Sequence, residues 1–152
     1  MWKEFRRRAF PLLGEHFPPN LIKDNGDSIV FVDRRERLRF LLTESTQGIT
    51  IGDYEERNTV GIICTSPSIE LATIALTLLV REGLGELVDM DYPPDELLGP
   101  VPGTDYSITE DRSRGFHLTH NSDCSLSAKC AYFTYARAIA EASAPSLGSP
   151  RP

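Results

Sequence analysis

Between Ser66 and Gly83 the chain carries a segment apolar on nearly every side: Ile69, Leu71, Ala72, Ile74, Ala75, Leu76, Leu78, Leu79 and Val80. The start is signalled by Ser66 as N-cap, Pro67 at the first helical position and Glu70 in the first turn; Gly83 supplies the stop. A helix with no polar face has to be covered on most sides, so the flanking segments must provide a layer that packs on it. The run is interrupted by Thr73 and Thr77 and is too short to span a bilayer.

That layer reads as strands. Ser28 to Val32 is β-branched and aromatic, Asp33 to Arg35 reads as a turn, and a second strand covers Arg37 to Thr43. Gln47-Gly48 opens a third, Ile49 to Tyr54. The run Val60 to Cys64 is either a fourth strand or the lead-in to the helix. Beyond Gly83, residues 84–105 form a linker rich in proline, glycine and acid; Tyr106 to Glu110 and Phe116 to Thr119 then read as a hairpin. A helix over residues 2–16 opens the chain, its last part put in question by Pro11. A final helix begins after Asp123 or Ser125, with Leu126, Cys130, Phe133, Ala136 and Ala140 on one face. The order α-βββ(β)-α-ββ-α predicts an α+β fold, an antiparallel sheet of about five to six strands with three helices. We expect one domain over residues 1–142 and a flexible tail at 143–152.

A formal charge of −6 argues against nucleic-acid binding, which needs a basic surface. The N-terminal residues carry charge without an apolar run of signal-peptide length, and three cysteines without a compact framework fit a reducing compartment. The expectation is therefore a cytoplasmic chain with no membrane segment. His117, His120, Cys124 and Cys130 have metal-ligand character, but H-x2-H-x3-C-x5-C is not a zinc spacing. On a strand, positions 117 and 120 also point to opposite faces, so no metal site and no cofactor is expected. No G-x-S-x-G or comparable nucleophile setting occurs. Gly83-Leu84-Gly85 begins like a dinucleotide fingerprint but follows a helix and has valine at position 88. No catalytic residue emerges, and the chain reads as a binding protein, not an enzyme.

Charge segregation is the most pronounced functional signal. From Glu82 to Asp111 there are nine acidic residues and no lysine or arginine, whereas residues 1–42 carry nine basic and six acidic ones. Most such runs are solvated faces. Here Leu87, Val88, Met90, Tyr92, Leu97 and Leu98 lie among the charges, a mixture that suits an interface with apolar anchors and a charged rim. The candidate partner-binding residues are Asp89, Asp91, Tyr92, Asp95 and Glu96, with Glu55 and Glu56 ahead of the fourth strand.

Several stretches together resemble immunity protein family sixty-one of bacterial polymorphic toxin systems. They are Asn25-Gly26, Arg39-Phe40-Leu41-Leu42, Gly48-Ile49-Thr50-Ile51, the acidic proline-rich linker, Asp105-Tyr106-Ser107-Ile108 and the helix Tyr135 to Ser143, spread over most of residues 20–143. This is the family type of the antidote to tuberculosis necrotizing toxin, an NAD-cleaving enzyme. The resemblance implies a non-enzymatic antitoxin that plugs the active site of a cognate secreted toxin domain, with the free chain a monomer or dimer. The element order and acidity are also similar to type III secretion chaperones, which dimerise and hold an effector segment.

Overall fold

The computed structural model describes residues 1–32, 39–54, 60–88, 93–111 and 115–143. Among the described residues four α-helices, α1 (Trp2–His16), α2 (Ile69–Glu82), α3 (Leu84–Leu87) and α4 (Phe133–Ser143), accompany nine strands. The strands are β1 (Ile22–Asp24), β2 (Ser28–Val32), β3 (Arg39–Ser45), β4 (Gly48–Tyr54), β5 (Val60–Ser66), β6 (Gly99–Pro100), β7 (Tyr106–Asp111), β8 (Gly115–His120) and β9 (Ser127–Cys130). The fold is α+β with one antiparallel sheet, as the sequence predicts, but with more strands and one more helix than expected.

The sheet order is β1-β2-β3-β4-β5-β9-β8-β7-β6. Each half is a meander of neighbouring hairpins, β1 to β5 and β6 to β9. They meet at a seam between β5 and β9 that has two register pairs, Cys64 with Cys130 and Thr65 with Lys129. Ser66 Oγ reinforces the seam by donating to the Ser127 carbonyl at 2.7 Å, and the Ala131 N–H donates to the Ile63 carbonyl at 2.9 Å. Both edges are very short strands, three residues in β1 and two in β6, which limits the unpaired backbone available for edge-to-edge association.

Three elements depart from the sequence expectation. β5 runs on through Ser66, so the N-cap of α2 is Ser68, whose Oγ accepts the Leu71 N–H at 3.2 Å. Ser66 is committed instead to Ser127 and to the Ser68 N–H, 3.0 Å away. The final helix starts at Phe133, not after residue 123 or 125: Ser127–Cys130 is the strand β9, inserted between β5 and β8. Cross-strand pairing on both sides outweighs the helical spacing of Leu126, Cys130 and Phe133. The 84–105 linker contains α3, a 3₁₀ turn at Asp95–Leu97 and β6. Of the turn expected at 33–35 and the tail at 143–152, residues 33–38 and 144–152 lie outside the described residues.

The helices cover one face of the sheet. α1 buries Phe5, Ala9 and Leu13, one turn apart, against α2 and continues through Pro11, which is exposed. Trp2 Nε1 donates to the Gly26 carbonyl at 2.7 Å, and Arg6 pairs with Asp24, tying α1 to the β1–β2 turn. α2 lies over β5 and α4 over β8 and β9. The threonines of α2 turn their hydroxyls back onto the helix, Thr73 onto the Ile69 carbonyl and Thr77 onto that of Thr73, each at 2.7 Å, so the apolar helix carries its hydroxyls without loose donors. Tyr135 is fully buried between α4 and α2, its hydroxyl donating to the Ala75 carbonyl. No described helix is long and apolar enough to cross a membrane.

Candidate functional site

Register decides which side chains share a face, because directly paired residues project from the same side. The helix-facing side carries Ile29, Leu42, Ile51, Cys64, Cys130 and Phe116 in one row across the strands. The opposite side carries Ser28, Thr43, Thr50, Thr65, Lys129, His117 and Thr109 in a second row, and Val30, Leu41, Gly52 and Ile62 in a third. His117 therefore lies on the open face, whereas His120 pairs with Tyr106 on the helix side and Cys130 lies in the core. The alternation predicted for 117 and 120 holds. Cys130 faces the core from a strand, not from a helix. No group of three metal-ligating side chains occurs among the described residues.

At the end of the sheet where α2 begins, a cleft of about 350 Å³ opens between α2, the β7–β8 pair and the end of α4. Its apolar wall is Leu71, Ile74 and Leu126; its polar groups are Glu70, Asp105, Tyr106, His120 and Ser143. Tyr106 is buried, its ring edge-on to His120 with centroids 5.0 Å apart. Burial raises the Tyr106 phenol above its usual range; a Ser143 hydrogen bond opposes this, and the negative charges of Glu70, Asp105 and Asp123 add to it. Burial thus favours the neutral phenol. His120 Nδ1 accepts the backbone N–H groups of Ser122 and Asp123, both at 3.1 Å. That pattern assigns the proton of the neutral ring to Nε2. Asp123 accepts the Ser125 N–H at 3.0 Å and its hydroxyl at 2.6 Å, and these bonds hold its carboxyl below the usual range. Among the described residues lining the cleft none is a lysine or arginine. The carboxylates of Glu70 and Asp105 favour a cation there, and the apolar wall suits the stem of a long basic side chain.

The open face offers a second surface. Ile62 is 61% exposed there, and Val30 and Leu41 continue the apolar row across Gly52. Beside it, Gln47, Thr65, Pro67, His117, Ser127, Ala128 and Lys129 line a shallow depression of about 290 Å³. The hydroxyl of Thr65 lies 3.3 Å from that of its strand neighbour Thr50, and both residues are buried.

Of the predicted partner-binding residues, Asp95 and Glu96 are exposed in the 3₁₀ turn before β6. Asp89, Asp91, Tyr92, Glu55 and Glu56 lie outside the described residues. The acidic run does reach the cleft through Asp105. Its companions Glu70 and Asp123 were legible only as local helix-start signals, and His120 only as half of a failed metal spacing. No protein-family model, curated protein or solved structure matches this chain.

Proposed function

We propose that the chain is a partner-binding protein of the immunity type, which blocks a cognate secreted toxin domain by accepting a basic side chain of that toxin in the acidic cleft. The observation that carries this reading is the cleft itself, which sets the carboxylates of Glu70 and Asp105 with the buried Tyr106 and with His120 beside an apolar wall. Such a cleft takes a guanidinium or ammonium group by charge, by hydrogen bonds from carboxylates and by packing along the stem. A toxin that cleaves NAD binds a pyrophosphate and so exposes basic groups in its own active site. The acidic balance of the whole chain and the exposed Asp95 and Glu96 assist by steering such a partner in.

The test uses the toxin domain as ligand, measuring association and dissociation rates at several salt concentrations. Replacing Glu70→Gln and Asp105→Asn together is expected to weaken binding by about tenfold or more, roughly 1.4 kcal/mol. The difference should shrink as salt rises. Asp95→Ala with Glu96→Ala is expected to slow association and leave dissociation nearly unchanged. Wild-type affinity in the Glu70→Gln/Asp105→Asn chain refutes the cleft as the docking site.

One observation favours a second reading. The exposed Ile62 row is an apolar strip on an uncovered sheet face, the kind of surface a secretion chaperone uses to dimerise or to hold an extended effector segment. In that case Ile62→Asp abolishes a stable dimer or segment binding in light scattering, while the cleft variants have no effect.

A further inference from the structure

Cys64 and Cys130 stand directly opposite each other in β5 and β9, with their sulfur atoms 3.7 Å apart. Both are buried, at 2% and 1% exposure, and both are free thiols. The Ala131 N–H bonded to the Ile63 carbonyl flanks the pair, which makes it a non-hydrogen-bonded position of the ladder. At such positions the Cα atoms lie about 4.5 Å apart and the side chains stand closest. That separation falls inside the range of about 4.4–6.8 Å that a disulfide spans.

We propose that Cys64 and Cys130 are an oxidation site, at which a small-molecule disulfide such as oxidised glutathione converts the thiol pair into an internal disulfide across the β5–β9 seam. One cysteine thiolate attacks the oxidant's sulfur–sulfur bond and expels one glutathione thiolate, leaving a mixed disulfide. The second thiolate attacks the protein sulfur of that mixed disulfide and expels the other glutathione. Two protons leave the protein thiols, two electrons pass to the oxidant, and two glutathione thiols result.

In the closed fold the pair is protected. Cys130 donates its S–H to the Cys64 sulfur, and this bond together with burial pushes its thiol well above the usual range, so little thiolate is present. The reaction therefore proceeds from a state in which the seam has opened or has not yet closed. The seam suits this, because it has two register pairs whereas β3 and β4 share six. A disulfide there ties residues distant in sequence, across the join between the two meanders, where a covalent link restricts the unfolded chain strongly. Two buried cysteines packing merely as small apolar residues have no need to be paired in register at this one junction.

The experiment uses the full chain carrying Cys124→Ser, which removes the exposed third thiol and with it intermolecular dimers. The protein is incubated folded, and separately refolded from urea, in oxidised or reduced glutathione, then alkylated and analysed by intact mass and peptide mapping. The expected result is a chain that has lost two hydrogen atoms, binds no alkylating reagent and yields a peptide linking Cys64 to Cys130. Its urea midpoint is expected to rise and to return to the reduced value on adding dithiothreitol. Cross-linking during refolding alone also supports the proposal, since seam closure is then what protects the thiols. Two alkylatable thiols after refolding in oxidised glutathione, or separate glutathione adducts on each, overturn it.

Discussion

Replacing Gly48 by alanine tests the packing of the β3–β4 hairpin against the crossing from β5 into α2. Gly48 has φ of +120°, and a Cβ there meets the Ser66 carbonyl oxygen at 2.1 Å, the Ser66 carbonyl carbon at 2.5 Å and Pro67 Cα at 2.7 Å. All three are backbone atoms, so no side chain can swing aside. The backbone conformation alone costs about 1–3 kcal/mol for a residue with a Cβ. Relieving the contacts requires Ser66 and Pro67 to move outward. That motion strains the Ser66–Ser127 hydrogen bond and the Ser68 cap of α2, each worth about 1 kcal/mol. The sum is about 3–5 kcal/mol, a large share of the roughly 5–15 kcal/mol that holds a typical domain together. Thermal unfolding is expected to shift down by about 6–20 °C, at about 2–4 °C per kcal/mol for a chain of this length. In urea the midpoint falls with little change of slope. Gly14→Ala is the control of opposite sign: nothing lies within 4 Å of its Cβ position in α1, so alanine is expected to stabilise by about 0.5–1 kcal/mol. A Gly48→Ala chain that melts within about 2 °C of wild type, on the same scale, refutes the reasoning.

Other outcomes follow from single contacts. Tyr135→Phe removes a buried hydroxyl from the Ala75 carbonyl and should cost about 1 kcal/mol in urea unfolding, with the fold unchanged by circular dichroism. Ser68→Ala deletes the α2 cap and should cost about 1 kcal/mol in urea unfolding. Tyr106 and Tyr135 both have phenols raised by burial. The folded state prefers their neutral form, so this contribution is complete below the ordinary tyrosine pKa of about 10 and is lost as pH climbs through the raised values. In a phenolate absorbance titration Tyr106 and Tyr135 should ionise late, together with alkaline unfolding. At the acid end Asp24 and Asp123 are lowered by Arg6 and by Ser125 respectively. Their contribution is present above the unfolded carboxylate value and lost as pH falls through the lowered ones, so Asp24→Asn should flatten the acid limb of the stability curve.

What the sequence reveals here is what short-range chemistry writes. The α2 segment is legible because its apolar residues and Gly83 lie within one stretch, although its cap is Ser68 and not the expected Ser66. Strands β3 to β5 are legible because alternation and turn residues are local as well. Ser127–Cys130 is different: its Ser-Ala-Lys-Cys alternation is only four residues long, too short to stand out, and it becomes a strand because β5 and β8 offer backbone partners on both sides. The edge strands β1 and β6 are too short to carry a pattern. The cleft was hidden for the same reason. Asp105 belongs to an acidic run that stands out in the sequence, but Glu70 joins it only because α2 begins above the Tyr106–His120 pair. Tertiary pairing made that juxtaposition, and no local signal encodes it.

The seam also bears on how the chain reaches its native state. Within each meander every strand pairs with its neighbour in sequence, so hairpins form at small loop-closure cost and the two halves can collapse independently. Joining β5 to β9 instead brings together residues 66 positions apart, through α2, α3 and the whole second meander. We expect this docking to limit the folding rate. Substitutions at Thr65 and Lys129 should then slow refolding more than they speed unfolding, and the amide of Ala131 should exchange with solvent sooner than those in the middle of β3 and β4.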